Sequence, residues 1–336
     1  MFALRGNAVS FSIFVMLYIS LSLVVCGVWR KVLSYGQRYP ARRCADLLYA
    51  LRMMPFLAAT GATLALAVPS FLLLEPRTAD EPMGAVPVAL GLCGLAVLLS
   101  GIWKAATALL QVARTIARWS REAGVIDSSG LRFPASVPMG SVAVGSVAVG
   151  SVPVRRISGA APPLTAAGIL RPSVWLSRGA EFVLNERELE AALRHEVVHV
   201  RRRDNLRKLI LRLVAFPGMA ELESAWREAT EMAADDAAVS SASEALDLAA
   251  AVIKLSRLAP LEAPAELTTA LVHSSAESVK VRVQRLIAWR ERPQNSAPQH
   301  SLAYMLCAAA AILVTLAVTY SELLVRVHTA TEWLVR

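Results

Sequence analysis

Residues 185–204 read NERELEAALRHEVVHVRRRD, and this stretch decides how the chain around it folds. Asn185 is a good helix N-cap, and Glu188 stands three residues on, the spacing of a capping box. The helix that starts here is expected to run through His195 to about Phe216, where Pro217-Gly218 ends it. His195 and His199 are four residues apart, which puts both imidazoles on one helix face about a turn apart. That spacing suits two adjacent positions of a tetrahedral zinc ion. Glu196 follows the first histidine, where its carboxylate is placed to hold a water and accept its proton. Val197 and Val198 add apolar surface that excludes bulk solvent.

A catalytic zinc needs a third protein ligand and an open position. A second helix over about Ala220–Ser240 carries Glu231-Met232-Ala233-Ala234-Asp235. Glu231 and Asp235 are one turn apart, with Glu231 as the third ligand and Asp235 as acceptor of a hydrogen bond from a ligand histidine, His195 first. Asp236 is the neighbouring alternative for that role. The break at Pro217-Gly218 lets the second helix fold back so that these groups converge. One zinc ion per chain is expected.

Outward from this pair of helices the pattern changes. Val152–Ser158 and Ile169–Ser177 have strand composition, interrupted by Pro162-Pro163 and Arg171-Pro172, and predict a small antiparallel sheet. Residues 135–154 are a five-residue repeat in four copies, from Ala-Ser-Val-Pro-Met to Gly-Ser-Val-Pro-Val. An odd period cannot keep one side-chain face along a strand, so the repeat reads as a flexible insertion rather than a β ribbon. Further helices are expected over 244–258 and 275–291. Leu206–Phe216 is apolar but carries Arg207, Lys208 and Arg212, and either rests on a membrane surface or is buried in the domain.

The 336 residues are 55% hydrophobic, and the distribution sets the class. Gly6–Trp29, Met53–Leu74, Met83–Trp103 and Ser301–Ser321 are free of charged residues and long enough to cross a bilayer, which takes about 20 residues. The first run lacks a strong basic start and an Ala-x-Ala end, and bulky Val25 precedes Cys26, so it reads as a retained span rather than a signal peptide or lipoprotein leader. The third is expected to continue as a helix through about Arg121. Lys and Arg gather after the first run (Arg30, Lys31, Arg38, Arg42, Arg43, Arg52), after the third and before the fourth, whereas Arg77 is alone after the second. The basic loops face the cytoplasm by the positive-inside rule, which leaves both termini extracytoplasmic. The expected organisation is a three-span region over 1–120 with a cytoplasmic loop at 30–52, a repeat-containing linker at 121–155, a cytoplasmic domain at 156–300, a fourth span at 301–322 and a short tail at 323–336. The net charge of +9 sits largely beside the spans, facing anionic lipid, and no nucleic-acid fingerprint accompanies it. Cys26, Cys44, Cys93 and Cys307 form no C-x-x-C pair, so no disulfide framework or thiolate zinc site is indicated.

Leu193-Arg194-His195-Glu196-Val197-Val198-His199-Val200-Arg201-Arg202-Arg203-Asp204-Asn205 resembles the BlaR/MecR-type membrane metallopeptidases, the antirepressor or β-lactam-receptor family. The segment from Pro163 to Pro172, the helix from Trp226 to Asp236 and the stretch Val281–Leu286 resemble other parts of that family. The resemblance implies a mainly α membrane protein, with four transmembrane helices and a cytoplasmic gluzincin-like α+β zinc-peptidase domain between spans three and four. It carries His195, His199 and Glu231 over as zinc ligands and Glu196 as general base. Asp204 matches the family's Arg-x-Asp, where a helix-surface or inter-helix hydrogen bond fits better than catalysis. Arg282 and His273 are lesser candidates for stabilising an oxyanion, and His273 reads first as a solvated loop histidine. Receptors of the family carry a penicillin-binding sensor after the fourth span; here Leu323–Arg336 follows it, so direct sensing through an acylated serine is not expected.

The expected activity is endoproteolysis of a cytoplasmic protein, a DNA-binding repressor or the chain itself, with an extended substrate adding to a sheet edge near Val174–Ser177. The competing reading is a non-proteolytic membrane signalling or scaffold protein with a structural zinc, which has no need of Glu196. A transporter would call for ionisable groups within the spans, and the four runs offer none.

Overall fold

The computed structural model describes residues 2–75, 84–122, 139–143, 146–149, 152–157, 162–214, 216–258, 267–271, 276–289 and 320–330. His273 and the fourth apolar run up to residue 319 lie outside these. The described chain is mainly helical. It opens with α1 (Phe2–Gly36), α2 (Ala41–Ala62), a π-helical turn (Thr63–Ala67), α3 (Val68–Leu74) and α4 (Ala85–Glu122). Three stretches of helix, Arg5–Gly36, Ala41–Leu74 and Ala85–Arg121, are long and apolar enough to cross a membrane.

The chain divides into two compact units. The first comprises Met1–Arg30, Ala50–Gly101 and Arg292–Arg336. Small residues let its helices approach. A Cβ on Gly91 would lie 2.9 Å from Ala8 O, and one on Gly94 would lie 2.6 Å from Phe11 O, so glycine is required at both. Ser12 Oγ bridges the same contact, 2.7 Å from Ala8 O and 2.8 Å from Pro87 O. Phe14, Tyr18 and Phe56 pack ring against ring beside it. The large aliphatics Leu23, Leu57, Leu64, Leu73 and Leu92 point outward and are exposed.

The second unit comprises Lys31–Tyr49 and Ile102–Glu291. It holds six strands, β1 (Met139–Ala143), β2 (Ser146–Val149), β3 (Val152–Ile157), β4 (Leu164–Ala167), β5 (Ser173–Ser177) and β6 (Thr269–Ala270), in the order β1-β2-β3-β5-β4-β6. Its helices are α5 (Arg178–Val183), α6 (Glu186–Arg202), α7 (Asp204–Leu213), α8 (Ala220–Ala238), α9 (Ala242–Arg257) and α10 (Ala276–Ile287). Gly168 makes the β4–β5 hairpin possible: its φ is +103°, and a Cβ there would meet Arg171 O at 2.8 Å. One apolar core, built from Val154, Leu164, Val174, Leu176, Leu193, Val197, Leu248 and Val252 among others, joins the sheet to α6 and α9.

Several expectations are corrected here. The sheet is mixed rather than antiparallel, because β3 and β5 run parallel, Val154 opposite Val174 and Ile157 opposite Ser177. Residues 173–177, expected at an edge, lie between β3 and β4 with all five side chains buried, so they cannot receive an added strand. Residues of the repeat form β1 and β2, which pair antiparallel, and β2 pairs antiparallel with β3, rather than forming a flexible insertion. The odd period is no obstacle, since alternation has to persist only within one short strand. The 30–52 loop is largely helical, and Lys31–Tyr49 and the end of α4 group with the second unit. There Arg207 bonds Asp46 at 2.8 Å and stacks on Tyr49, Tyr49 meets Trp226, and Trp119 packs on Trp175. Leu206–Leu213 packs inside this unit as part of α7, where Leu211 is buried and Leu209 meets Ala108, Val112 and Leu267.

The helix expected to run unbroken to Phe216 stops at Arg203. Its φ of 55° and ψ of 40° are left-handed, and its N–H caps α6 on the carbonyls of His199 and Val200. A new helix, α7, starts at the next residue. Five residues along an unbroken helix, Asp204 would point well away from His199. The left-handed turn brings it back.

Candidate metal centre

The capping box that begins α6 forms as its sequence predicts. Asn185 Oδ1 accepts from Glu188 N–H, and Glu188 Oε2 accepts from Asn185 N–H, each at 2.9 Å. Lys254 pairs with the same Glu188 carboxylate at 2.7 Å, and Arg194 bonds Glu244 at 2.8 Å, so α9 holds α6 along its length. The face these contacts fix inward carries His195, Glu196 and His199, at 0%, 0% and 1% exposure.

His195, His199 and Glu231 offer ligand atoms that all lie within 4.8 Å of one another. His195 Nε2 is 3.1 Å from His199 Nε2 and 3.4 Å from Glu231 Oε2, and His199 Nε2 is 3.5 Å from Glu231 Oε1. The far side of each ring meets its own carboxylate. His195 Nδ1 lies 3.0 Å from Asp235 Oδ1, and His199 Nδ1 lies 2.8 Å from Asp204 Oδ2. The carboxylates favour a proton on Nδ1 of both rings, so Nε2 is the nitrogen of each that can bind a further cation, proton or metal. Two Nε2 atoms and a carboxylate then face one another in a buried space, where positive charge between them is needed. Two imidazoles and one carboxylate are also a donor set that binds zinc.

Electrostatics follow from the same crowding. Burial works against charging His199, yet the Glu231 charge and the Asp204 hydrogen bond prevail and push its pKa up to about 10. Burial likewise opposes charging His195, and its contacts with Asp235 and Glu231 outweigh it and raise the pKa. Burial would raise Glu231, but His199 and Arg282 hold it well below the carboxylate range. Glu196 goes the other way: burial dominates over the nearby histidines and pushes it up to about 7.

Glu196 is oriented by the sheet. Its Oε2 accepts the Ala166 N–H at 3.0 Å and has Thr269 Oγ1 at 3.4 Å, while Oε1 has no partner among the described residues. Asn205 Nδ2 donates to Ala166 O at 3.1 Å and steadies that strand from the other side. A cleft of about 310 Å³ opens beside His199, walled by Gly168, Ile169, Pro172, Asn205 and Leu206.

The structure thus brings together His195, Glu196, His199, Glu231 and Asp235. Asp236 turns away to Arg285, at 2.6 Å, and takes no part. Asp204 is fully buried and bonds His199 from α7, the inter-helix contact of its two expected settings rather than the helix-surface one. Arg282, offered for an oxyanion, instead binds Asp235 through Nε and Nη2 at 2.8 and 2.7 Å, and Leu271 O through Nη1 at 2.9 Å. Sequence reading missed Ala166, Thr269 and Asn205. No local spacing links them to Glu196, which lies 30 and 73 residues from the first two; the strand composition of 164–167 was the one available hint. Compared with known protein families and with curated proteins, the chain matches none.

Proposed function

We propose that the chain is a membrane zinc endopeptidase acting on a cytoplasmic protein. The observation that carries this reading is the His195–His199–Glu231 cluster with Glu196 beside it, one carboxylate oxygen held and the other without a partner. His195, His199 and Glu231 would hold the zinc, with Asp235 and Asp204 fixing the two rings. Zinc bound there would supply Lewis acidity, both to polarise a peptide carbonyl and to ease deprotonation of water near neutral pH. Glu196 takes the proton of the attacking water on Oε1 while Ala166 N–H keeps the carboxylate aimed. A pKa near 7 suits a group that must accept a proton and then return it to the leaving amine. The cleft beside His199 would take the substrate chain.

The membrane part of the proposal rests on the three long apolar helices, with the run at 301–321 as a fourth span. The basic flanks of these runs support a cytoplasmic side for the unit that carries His195 and Glu231. By the resemblance noted above, a transcriptional repressor or the chain itself is the substrate.

Glu196→Gln tests the reading. In nanodiscs, wild type is expected to cleave its substrate in a chelator-sensitive way, and the variant to keep its zinc while losing about 10²- to 10⁴-fold in rate. Equal cleavage by the two proteins would remove Glu196 from the mechanism. Zinc retained without any cleavage by wild type would turn the reading to a structural metal.

A further inference from the structure

We propose that Arg282 is a positioning residue of the metal centre, one guanidinium that sets both the third ligand and the orientation of the first. This rests on the zinc reading given above. Four carboxylates, Glu196, Glu231, Asp204 and Asp235, are gathered around His195 and His199, and Arg282 touches two of them. Its Nε and Nη2 grip Asp235 with both prongs, at 2.8 and 2.7 Å, and Asp235 Oδ1 faces His195 Nδ1 at 3.0 Å. Its Nη1 lies 3.1 Å from Glu231 Oε2 and donates to Leu271 O at 2.9 Å. The side chain is 2% exposed, so none of these contacts is shared with bulk water.

The arrangement has two consequences. Asp235 is held 3.0 Å from His195 Nδ1, where its charge favours the proton on that nitrogen and leaves Nε2 for a metal. Glu231 Oε2 faces both the guanidinium, at 3.1 Å, and His195 Nε2, at 3.4 Å, so the positive charge holds this carboxylate beside the histidines, where it can serve as the third ligand. Lysine keeps the charge but cannot reproduce a planar fork with a third arm. The same helix provides a control. Arg285 joins α10 to α8 by the same kind of contact, to Asp236 at 2.6 Å and Met232 O at 3.1 Å, but it touches no member of the metal cluster.

The experiment compares Arg282→Lys and Arg285→Lys with wild type in the full chain in detergent, with fold checked by circular dichroism. Zinc affinity is measured by chelator competition, and the ligand field by the visible spectrum of the cobalt-substituted protein. Arg282→Lys is expected to weaken zinc binding about 10- to 100-fold and to change the cobalt spectrum. Arg285→Lys is expected to leave both at wild-type values. Equal behaviour of the two variants would overturn the proposal and leave the metal reading standing. A wild-type protein that binds neither metal would overturn both. Should Arg282→Lys fail to fold, hydrogen exchange of wild type decides: zinc loading should slow exchange in 276–287 as well as in α6 and α8. A response in α6 and α8 with none in 276–287 would sink the proposal.

Discussion

The two units of this chain differ in what they expose and in which polar groups they bury. In the first, Leu57, Leu64 and Leu92 are 60%, 64% and 62% exposed, while Ser12, Ser22 and Ser70 are fully buried. In the second, α6 buries two histidines and two glutamates, and the surrounding leucines and valines form a core. Burial of polar groups is therefore not a single signal. In the first unit it accompanies close helix contacts around Gly91 and Gly94, and the outward apolar faces are those of helices able to sit in lipid. In the second unit buried charges are paired, Asp235 with Arg282, Asp204 with His199 and Glu188 with Lys254, while Glu196 is held by the Ala166 N–H. The first interior is a device for packing and the second a device for holding charge.

The comparison breaks most visibly if one charge of the second interior loses a partner. Asp235→Ala takes from Arg282 the carboxylate it grips with two prongs and leaves it only Glu231 and Leu271 O, and metal-free protein is expected to lose about 3 kcal/mol, read as a lowered denaturant midpoint of tryptophan fluorescence. A change within 1 kcal/mol would mean that the pair is not what holds α10 to α8. Next in size is a charge placed on the outward face of the first unit. Leu92→Arg is expected to cost about 2.5–3.5 kcal/mol of membrane insertion, seen as a fall in the membrane-integrated fraction. Leu246→Arg, at an exposed site of α9, should stay within about 0.5 kcal/mol. If both leave integration unchanged, the outward face of α4 does not meet lipid. The smallest effect sharpens the second interior. Arg203→Gly relieves a left-handed backbone that costs an L-residue about 1–2 kcal/mol, against about 0.5–1 kcal/mol of added chain entropy. A small net rise in melting temperature with unchanged zinc affinity is expected, and a fall would show that the Arg203 side chain matters more than its backbone.

Much of the cluster was legible because its parts recur at helical spacing. Four residues separate His195 from His199 and Glu231 from Asp235, and Asn185 and Glu188 mark where the first helix begins. The groups that aim Glu196 were not legible, because Ala166 and Thr269 arrive on two strands paired only through the sheet. Arg282 was visible as an arginine of the right neighbourhood, but its role was misread. A guanidinium near an active site suits an oxyanion as well as it suits a carboxylate, and only the distances to Asp235 and Glu231 choose between them.

By itself, the sequence marked four apolar runs, of which three are helices of membrane-crossing length among the described residues, and a helix with two histidines on one face, because both rest on periodicity and run length, which are local. The tertiary structure decided that α6 ends at Arg203, that Asp204 swings back onto His199, and that residues 173–177 lie inside the sheet. Each of these depends on which distant segments pair with which. A left-handed turn at an arginine is unfavourable locally, and the contact it makes possible is what compensates for it, so no reading of neighbouring residues could have placed it there.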